Sequence, residues 1–290
     1  MATDSTYYVP EQSKLPILTA LGLGLAATGA ASWMLGGSPM ILLAGFLVLA
    51  VTFYSWFGIV IRENMAGMNS DQLKRSYVWG MGWFIFSEVM FFAAFFGALF
   101  YVRMVSSSHL EASADLLYPG FEFSWPLFET PDMAASGEAA QFKGPDEIID
   151  PWHLPLINTI ILLTSSITVH FAHTALKKEN RKNFNLWLGV TVALGAIFLF
   201  FQVEEYLEAY NELGLTLESG IYGTTFFLLT GFHGAHVTLG TFMLLVQLLR
   251  GLKGHFSHDD AFGFEASSWY WHFVDVVWVG LFIFVYVLGS

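Results

Sequence analysis

Apolar residues run almost unbroken through seven stretches of the chain, near 15–35, 39–60, 76–105, 154–176, 184–207, 222–249 and 266–288, with polar residues gathered between them. A helix rises about 1.5 Å per residue, so some 20 residues cross the roughly 30 Å of bilayer hydrocarbon. Each stretch therefore predicts a transmembrane helix. Gly36-Gly37-Ser38-Pro39 joins the first two as a tight turn, making them a helical hairpin. The small residues at 26–31 resemble a peptidase site, but the start is not basic and the apolar run continues to Leu35, so the first stretch reads as a retained span. Seven crossings place the two termini on opposite sides.

The charges orient this frame. Lys14, Arg62, Lys74, Arg75, Lys177, Lys178, Arg181, Lys182, Arg250 and Lys253 fall on one side, and Arg103 and Lys143 on the other. The positive-inside rule then makes the N-terminus cytoplasmic and the C-terminus external. The long segment 106–153 becomes an external acidic loop, carrying Glu111, Asp115, Glu122, Glu129, Asp132, Glu138, Asp146, Glu147 and Asp150 against one lysine. Glu204, Glu205, Glu208, Glu212 and Glu218 cluster at the next external turn. This face reads as a solvated outer surface, with steering of a basic soluble partner as the alternative.

Composition agrees with lipid as the main solvent: hydrophobic residues make up 55% of the 290, charged residues 12%, and mean hydropathy is +0.55. The net charge of -12 comes with no basic patch beyond short loops, which argues against nucleic-acid binding. With no cysteine there is no disulfide, thiolate metal site or Cys nucleophile.

Against this apolar background a few polar side chains stand out. Glu88 lies near the middle of the third span among Phe, Met, Val and Ala, where an ionised carboxylate is costly. Both a structural hydrogen bond and a functional role remain open for it. His170 and His173 on the fourth span, and His233 and His236 on the sixth, are each three apart and share a helix face. Four imidazoles with Glu88 suggest a metal centre, yet no HExxH and no carboxylate at ligand spacing accompany them. Hydrogen bonds across helices are the favoured reading. His272 and Asp275, three apart on the last span, form either a proton relay or, preferably, a local pair that fixes packing. Gly231, Gly234 and Gly240 allow close helix approach. Trp56, Trp79, Trp269, Trp271, Tyr77 and Tyr270 form an aromatic belt near the cytoplasmic ends, where Arg62 and Arg250 can snorkel to phosphate headgroups. A proton-coupled transporter built on these groups needs discontinuous helices, and no span is interrupted by an internal proline.

TGFHGAHVTLGT (230–241) followed by FGFEASSWYWHFVDVVW (262–278) resembles the signature of subunit III of cytochrome c oxidase. VIRE (60–63), FSEVMFFAAFF (86–96) and VEEYLEA (203–209) match in order and spacing, so the likeness covers nearly the whole chain. The start YYVPEQSK and the long external loop are similar to proteobacterial oxidases, which implies a bacterial inner membrane. The resemblance implies an all-α integral membrane protein of seven transmembrane helices, with helices one and two (1–62) set apart from a five-helix bundle (63–290) by a V-shaped cleft that holds phospholipids. It implies no haem or copper in this chain; those belong to partner subunits. The main partner is subunit I, with subunit II also present and cytochrome c as substrate of the proton-pumping complex. The implied role is to sustain proton uptake and protect the catalytic subunit during turnover.

Carried over by position, Glu88 matches the family's buried helix-three carboxylate, and His173 and His236 match intramembrane histidines. Arg62, Glu63 and Arg250 match headgroup contacts, and Trp56 with Phe57 an aromatic pair on the lipid. Gly58-Ile59 and Met68-Asn69-Ser70 depart from the mitochondrial pattern, so the contacts of those positions are not carried over. A quinol oxidase subunit is the nearest alternative, although such relatives usually lack the first hairpin.

Overall fold

A computed structural model describes residues 12–68, 70–256 and 261–289. Residues 1–11, which open the segment expected on the cytoplasmic side, and Asn69 lie outside the described residues, as do the side chains of Asp115 and Glu138. Among the described residues the chain is helical, without strands, and seven helices are long and apolar enough to cross a membrane. The chain is thus an all-helical, multi-pass membrane protein. It divides into two compact units, Met1–Gly80 and Met81–Ser290.

The first unit is built on the hairpin of α1 (Leu15–Met34) and α2 (Met40–Met65). Small residues bring the two backbones together. A Cβ on Gly29 would run into the backbone of Leu42, and one on Gly45 would lie 2.5 Å from the Ala26 nitrogen. In lipid, where apolar surface gains little by leaving its solvent, such close van der Waals approach is what holds helices together. The turn closes α1 with a Schellman motif: Gly36, at φ +84°, donates its N–H to Trp33 O at 3.0 Å, and Gly37 donates to Ser32 O at 2.8 Å. The first ten residues of α3 (Asp71–Tyr101) complete this unit.

In the second unit α3 runs on through a π-helical turn, Val102–Ser106, into α4 (Ser107–Leu117). The segment expected as loop from 106 onward therefore begins as helix. The centre of the unit is formed by α6 (Leu154–Lys177), α7 (Arg181–Asn211), α8 (Gly220–Leu252) and α9 (Phe262–Leu281), each packed on the next and α9 returning to α6. A π-helical turn, Phe282–Val287, continues α9. Polar side chains tie these helices inside the apolar interior: Thr168 to Thr191 at 2.8 Å, Tyr206 to Thr230 at 2.7 Å, Trp271 Nε1 to Ser165 Oγ and Trp278 Nε1 to Thr159 Oγ1 at 2.9 Å each.

Segment 106–153, expected as an external solvated loop, is more than that, because it sends Phe121, Leu127 and Ile149 into the core. It carries the short α5 (Pro131–Ser136), capped by Thr130 Oγ1, which accepts from Met133 N at 3.2 Å. Asp132 ties this helix to the residues beyond it: its carboxylate accepts from the backbone N–H groups of Phe142 at 3.0 Å and Gln141 at 2.6 Å and from the Ser136 hydroxyl at 3.1 Å. The Phe142 bond above all holds this carboxyl below the usual carboxylate range. A lowered carboxyl stabilises the fold above its unfolded value and loses that contribution as pH falls through the folded one. Segment 131–142 is accordingly expected to become protease-sensitive on acidification. Asp132→Asn, which cannot accept all three bonds as a carboxylate does, is expected to be cut faster at neutral pH and to show little further acid dependence. Equal cleavage of both proteins at all pH values would contradict this.

Candidate functional site

The sixth and third spans meet at Glu88. His236, on α8, brings Nε2 to 2.8 Å from Glu88 Oε2, while its Nδ1 lies 2.6 Å from the carbonyl oxygen of Phe232, one turn earlier. A carbonyl only accepts, so Nδ1 carries a hydrogen and donates it. One further proton then sits in the bond to Glu88, whether it is written as acid and imidazole or as carboxylate and imidazolium. Either way the pair is neutral overall, which is how two ionisable groups persist among apolar residues. The imidazole is walled by Phe91, Phe92, Phe273 and Tyr270, with ring centroids 4.9 to 6.5 Å away. The two side chains keep 14% and 23% of their surface, so the pair lies at the edge of the interior.

His233 turns elsewhere. It is fully buried, donates from Nε2 to Val274 O of α9 at 3.1 Å, and packs on Trp278 and Phe198. Its Nδ1 has no partner, so a neutral ring fits. Despite their i, i+3 spacing, His233 and His236 thus serve different neighbours, because one face of α8 meets both α3 and α9. The fourth span divides in the same way: His170 is exposed, and His173 Nε2 meets Glu265 Oε1 of α9 at 3.2 Å. On the last span His272 Nδ1 shares a hydrogen bond with Ser166 of α6 at 2.7 Å and stands 3.9 Å from Asp275 Oδ2. Asp275 is buried. Ser166 thus binds the histidine more closely than its own helix neighbour does. His236–Glu88, His233–Val274, His173–Glu265 and His272–Ser166 cross between helices, whereas His272–Asp275 lies within α9. Among the described residues no group of three or more His, Asp or Glu side chains is disposed to hold a metal ion.

The residues assigned to headgroups divide between the two units. In the first, Trp56, Phe57 and Arg62 on the last turns of α2 are exposed, and Glu63 is half-buried beside them. In the second, Arg250 ends α8 half-buried, with Nη1 3.1 Å from Gln247 Oε1 and its guanidinium 4.6 Å from the Phe256 ring centre.

One polar cluster escapes sequence reading. Glu205, grouped there with the outer acidic surface, is fully buried; Oε1 accepts from Gln202 Nε2 at 3.1 Å and from the Tyr286 hydroxyl at 2.5 Å. The signal was present in the helical spacing. Phe198, Gln202, Glu205 and Ala209 form one buried stripe of α7, whereas Glu204 and Glu212 lie off it and are exposed.

Comparison with known proteins bears on all of this. Residues 5–290 match the family model described as cytochrome c oxidase subunit III. Among curated relatives, proteins named cytochrome c oxidase subunit 3 from Oryctolagus cuniculus and Dugong dugon are 36% and 37% identical over 287 residues, covering 98% of this chain and 97% of each relative. The subunit of the same name from Prototheca wickerhamii is 38% identical over 98% of both chains. With seven membrane-spanning helices, the ordered motifs on α3, α7, α8 and α9, and a match from end to end, the chain belongs to the cytochrome c oxidase subunit III family.

Proposed function

We propose that this chain is the non-redox subunit III of a proton-pumping cytochrome c oxidase in a bacterial inner membrane, with its N-terminus cytoplasmic. The observation that carries the reading is the family-model match over residues 5–290, joined by relatives named for that subunit that align over 98% of the chain. In this reading the bundle braces subunit I, the haem- and copper-bearing partner, with subunit II nearby, and cytochrome c is the electron donor of the complex. Trp56, Phe57, Arg62 and Glu63 of the first unit and Arg250 of the second each meet phospholipid headgroups in this reading. The exposed position of Arg62 at the end of α2 suits a phosphate contact.

Glu88 and His236 fit a supporting role. A neutral pair half-shielded by aromatic rings holds a proton in place, and no chemistry of electron transfer follows from it. Purification in mild detergent tests the assignment. The chain is expected to co-purify with a haem-bearing partner in a complex that oxidises cytochrome c; isolation alone, or with a quinol-oxidising partner, would overturn it. Within that complex Glu88→Gln is expected to leave assembly and the haem spectrum unchanged, because the amide still bonds His236. Any change should be confined to sustained turnover or proton delivery. Loss of haem from the variant complex would remove the supporting role.

A further inference from the structure

Glu205 presents a hydrogen-bonding imbalance that one proton resolves. Its Oε1 accepts twice, from Gln202 Nε2 and from Tyr286. Its Oε2 is buried with no partner, and so is Oε1 of Gln202, the same amide that already bonds it. As an ionised carboxylate Glu205 is an acceptor only, and Gln202 Oε1 is an acceptor only, so the two orphaned atoms have nothing to give each other. Reversing the Gln202 amide makes matters worse, since it would set the amide oxygen against Glu205 Oε1.

The surroundings offer no compensating charge. Among the described residues the ionisable groups acting on Glu205 are Glu208 and Tyr206 of α7 and Tyr286 of the C-terminal turn, none of them a cation. An unpaired carboxylate fully buried between membrane helices is among the most costly arrangements a chain can adopt. At 2.5 Å the Tyr286 bond has the length of a charge-assisted one, but an ionised Glu205 would still leave Oε2 and Gln202 Oε1 both unpartnered, and that orphaned pair decides. A hydrogen on Oε2 makes that atom a donor, and the matching acceptor is Gln202 Oε1. An acid and an amide then close a ring of two hydrogen bonds, with Tyr286 bonded to the acid's carbonyl oxygen.

We propose that Glu205 is a proton-binding site, held as a neutral carboxylic acid that donates from Oε2 to Gln202 Oε1. With Tyr286 the acid–amide ring forms a buried latch between α7 and the π-helical turn at Phe282–Val287. The π-helical turn suits this use: its extra residue per turn offsets the side-chain register, and such turns recur where a side chain must be re-aimed. Nothing in this inference depends on which partner the chain binds.

Infrared difference spectroscopy of the purified protein, in whatever assembly it is isolated, reads the proton directly. Wild type minus Glu205→Gln at neutral pH is expected to show loss of one carboxylic-acid C=O stretch, with no loss in the carboxylate region. Tyr286→Phe and Gln202→Leu are each expected to retain that band and move it to higher wavenumber, because each removes a hydrogen bond from the acid. Loss of carboxylate bands on Glu205→Gln, with the acid region unchanged, would overturn the proposal. If Glu205→Gln does not accumulate, the wild type minus Tyr286→Phe spectrum decides alone: a shifted acid band supports the latch, and shifted carboxylate bands refute it.

Discussion

Trp278→Ala is expected to destabilise the second unit by about 2–4 kcal/mol, enough to deplete folded protein in the membrane. Trp278 has no exposed surface; it packs edge-on to Phe198 with centroids 4.7 Å apart and touches the rings of His233 and Tyr286 at 5.1 and 5.8 Å. Its Nε1 donates to Thr159 Oγ1 at 2.9 Å. For a helix leaving the bundle the alternative environment is lipid, as apolar as the protein interior, so the usual transfer contribution is small. What is lost is the dispersion contact of a large ring, the cavity it leaves and a hydrogen bond worth about 0.6–2 kcal/mol in membrane bundles. The estimate therefore falls below the roughly 3–5 kcal/mol of a water-soluble core. Trp278→Phe keeps most of the packing and should cost about half as much. Unfolding of the purified protein in mixed detergent micelles measures both; stability equal to wild type for the alanine variant would show that the core is not centred on this ring.

How much of this architecture is legible in the sequence depends on the scale of the feature. The seven crossings follow from apolar length alone, because lipid forbids unpaired backbone and leaves a helix as the solution for each run. The end of the third is less legible. Ser106–Ser108 read as the start of the loop, yet the helix continues through a π-helical turn at Val102–Ser106 and on to Leu117, since helix termination is decided by local bonding and not by polarity. In segment 106–153 Phe121, Leu127 and Ile149 carry no periodicity that would mark them as core, and only the folded chain brings them in. At the candidate site the sequence identifies the polar residues but not their partners. The spacing of His233 and His236 is that of two groups facing one way, whereas α8 is enclosed on that face by two helices, and each imidazole finds a different one. Glu205 is the clearest omission. A glutamate among glutamates near a helix end looks solvated, and only its stripe with Phe198, Gln202 and Ala209 marks it as interior.

Four helices of the second unit converge on one indole. Trp271 of α9 is fully buried and reaches the other three at once: it donates to Ser165 of α6, and its six-membered ring lies against Gly195 of α7 and Gly240 of α8. A Cβ at Gly195 would fall 2.8 Å from Trp271 Cη2 and 2.7 Å from Thr241 Oγ1, and one at Gly240 would fall 2.9 Å from Trp271 Cε3. All three distances are inside van der Waals contact, and the indole cannot retreat without releasing Ser165. Gly195→Ala and Gly240→Ala are each expected to cost about 1–3 kcal/mol by overpacking, although alanine is the better helix former by about 1 kcal/mol in isolation. The cause is separable from any general intolerance of these positions, because it lies in the size of one partner. Trp271→Phe, with its smaller ring, opens the notch, so adding Gly240→Ala to it should cost less than Gly240→Ala does in the parent. The two substitutions are expected to couple by roughly 1 kcal/mol or more in a double-mutant cycle on micelle unfolding. Additivity within about 0.5 kcal/mol would mean that the glycines answer to some other neighbour, and that the four helices are not gathered around this indole.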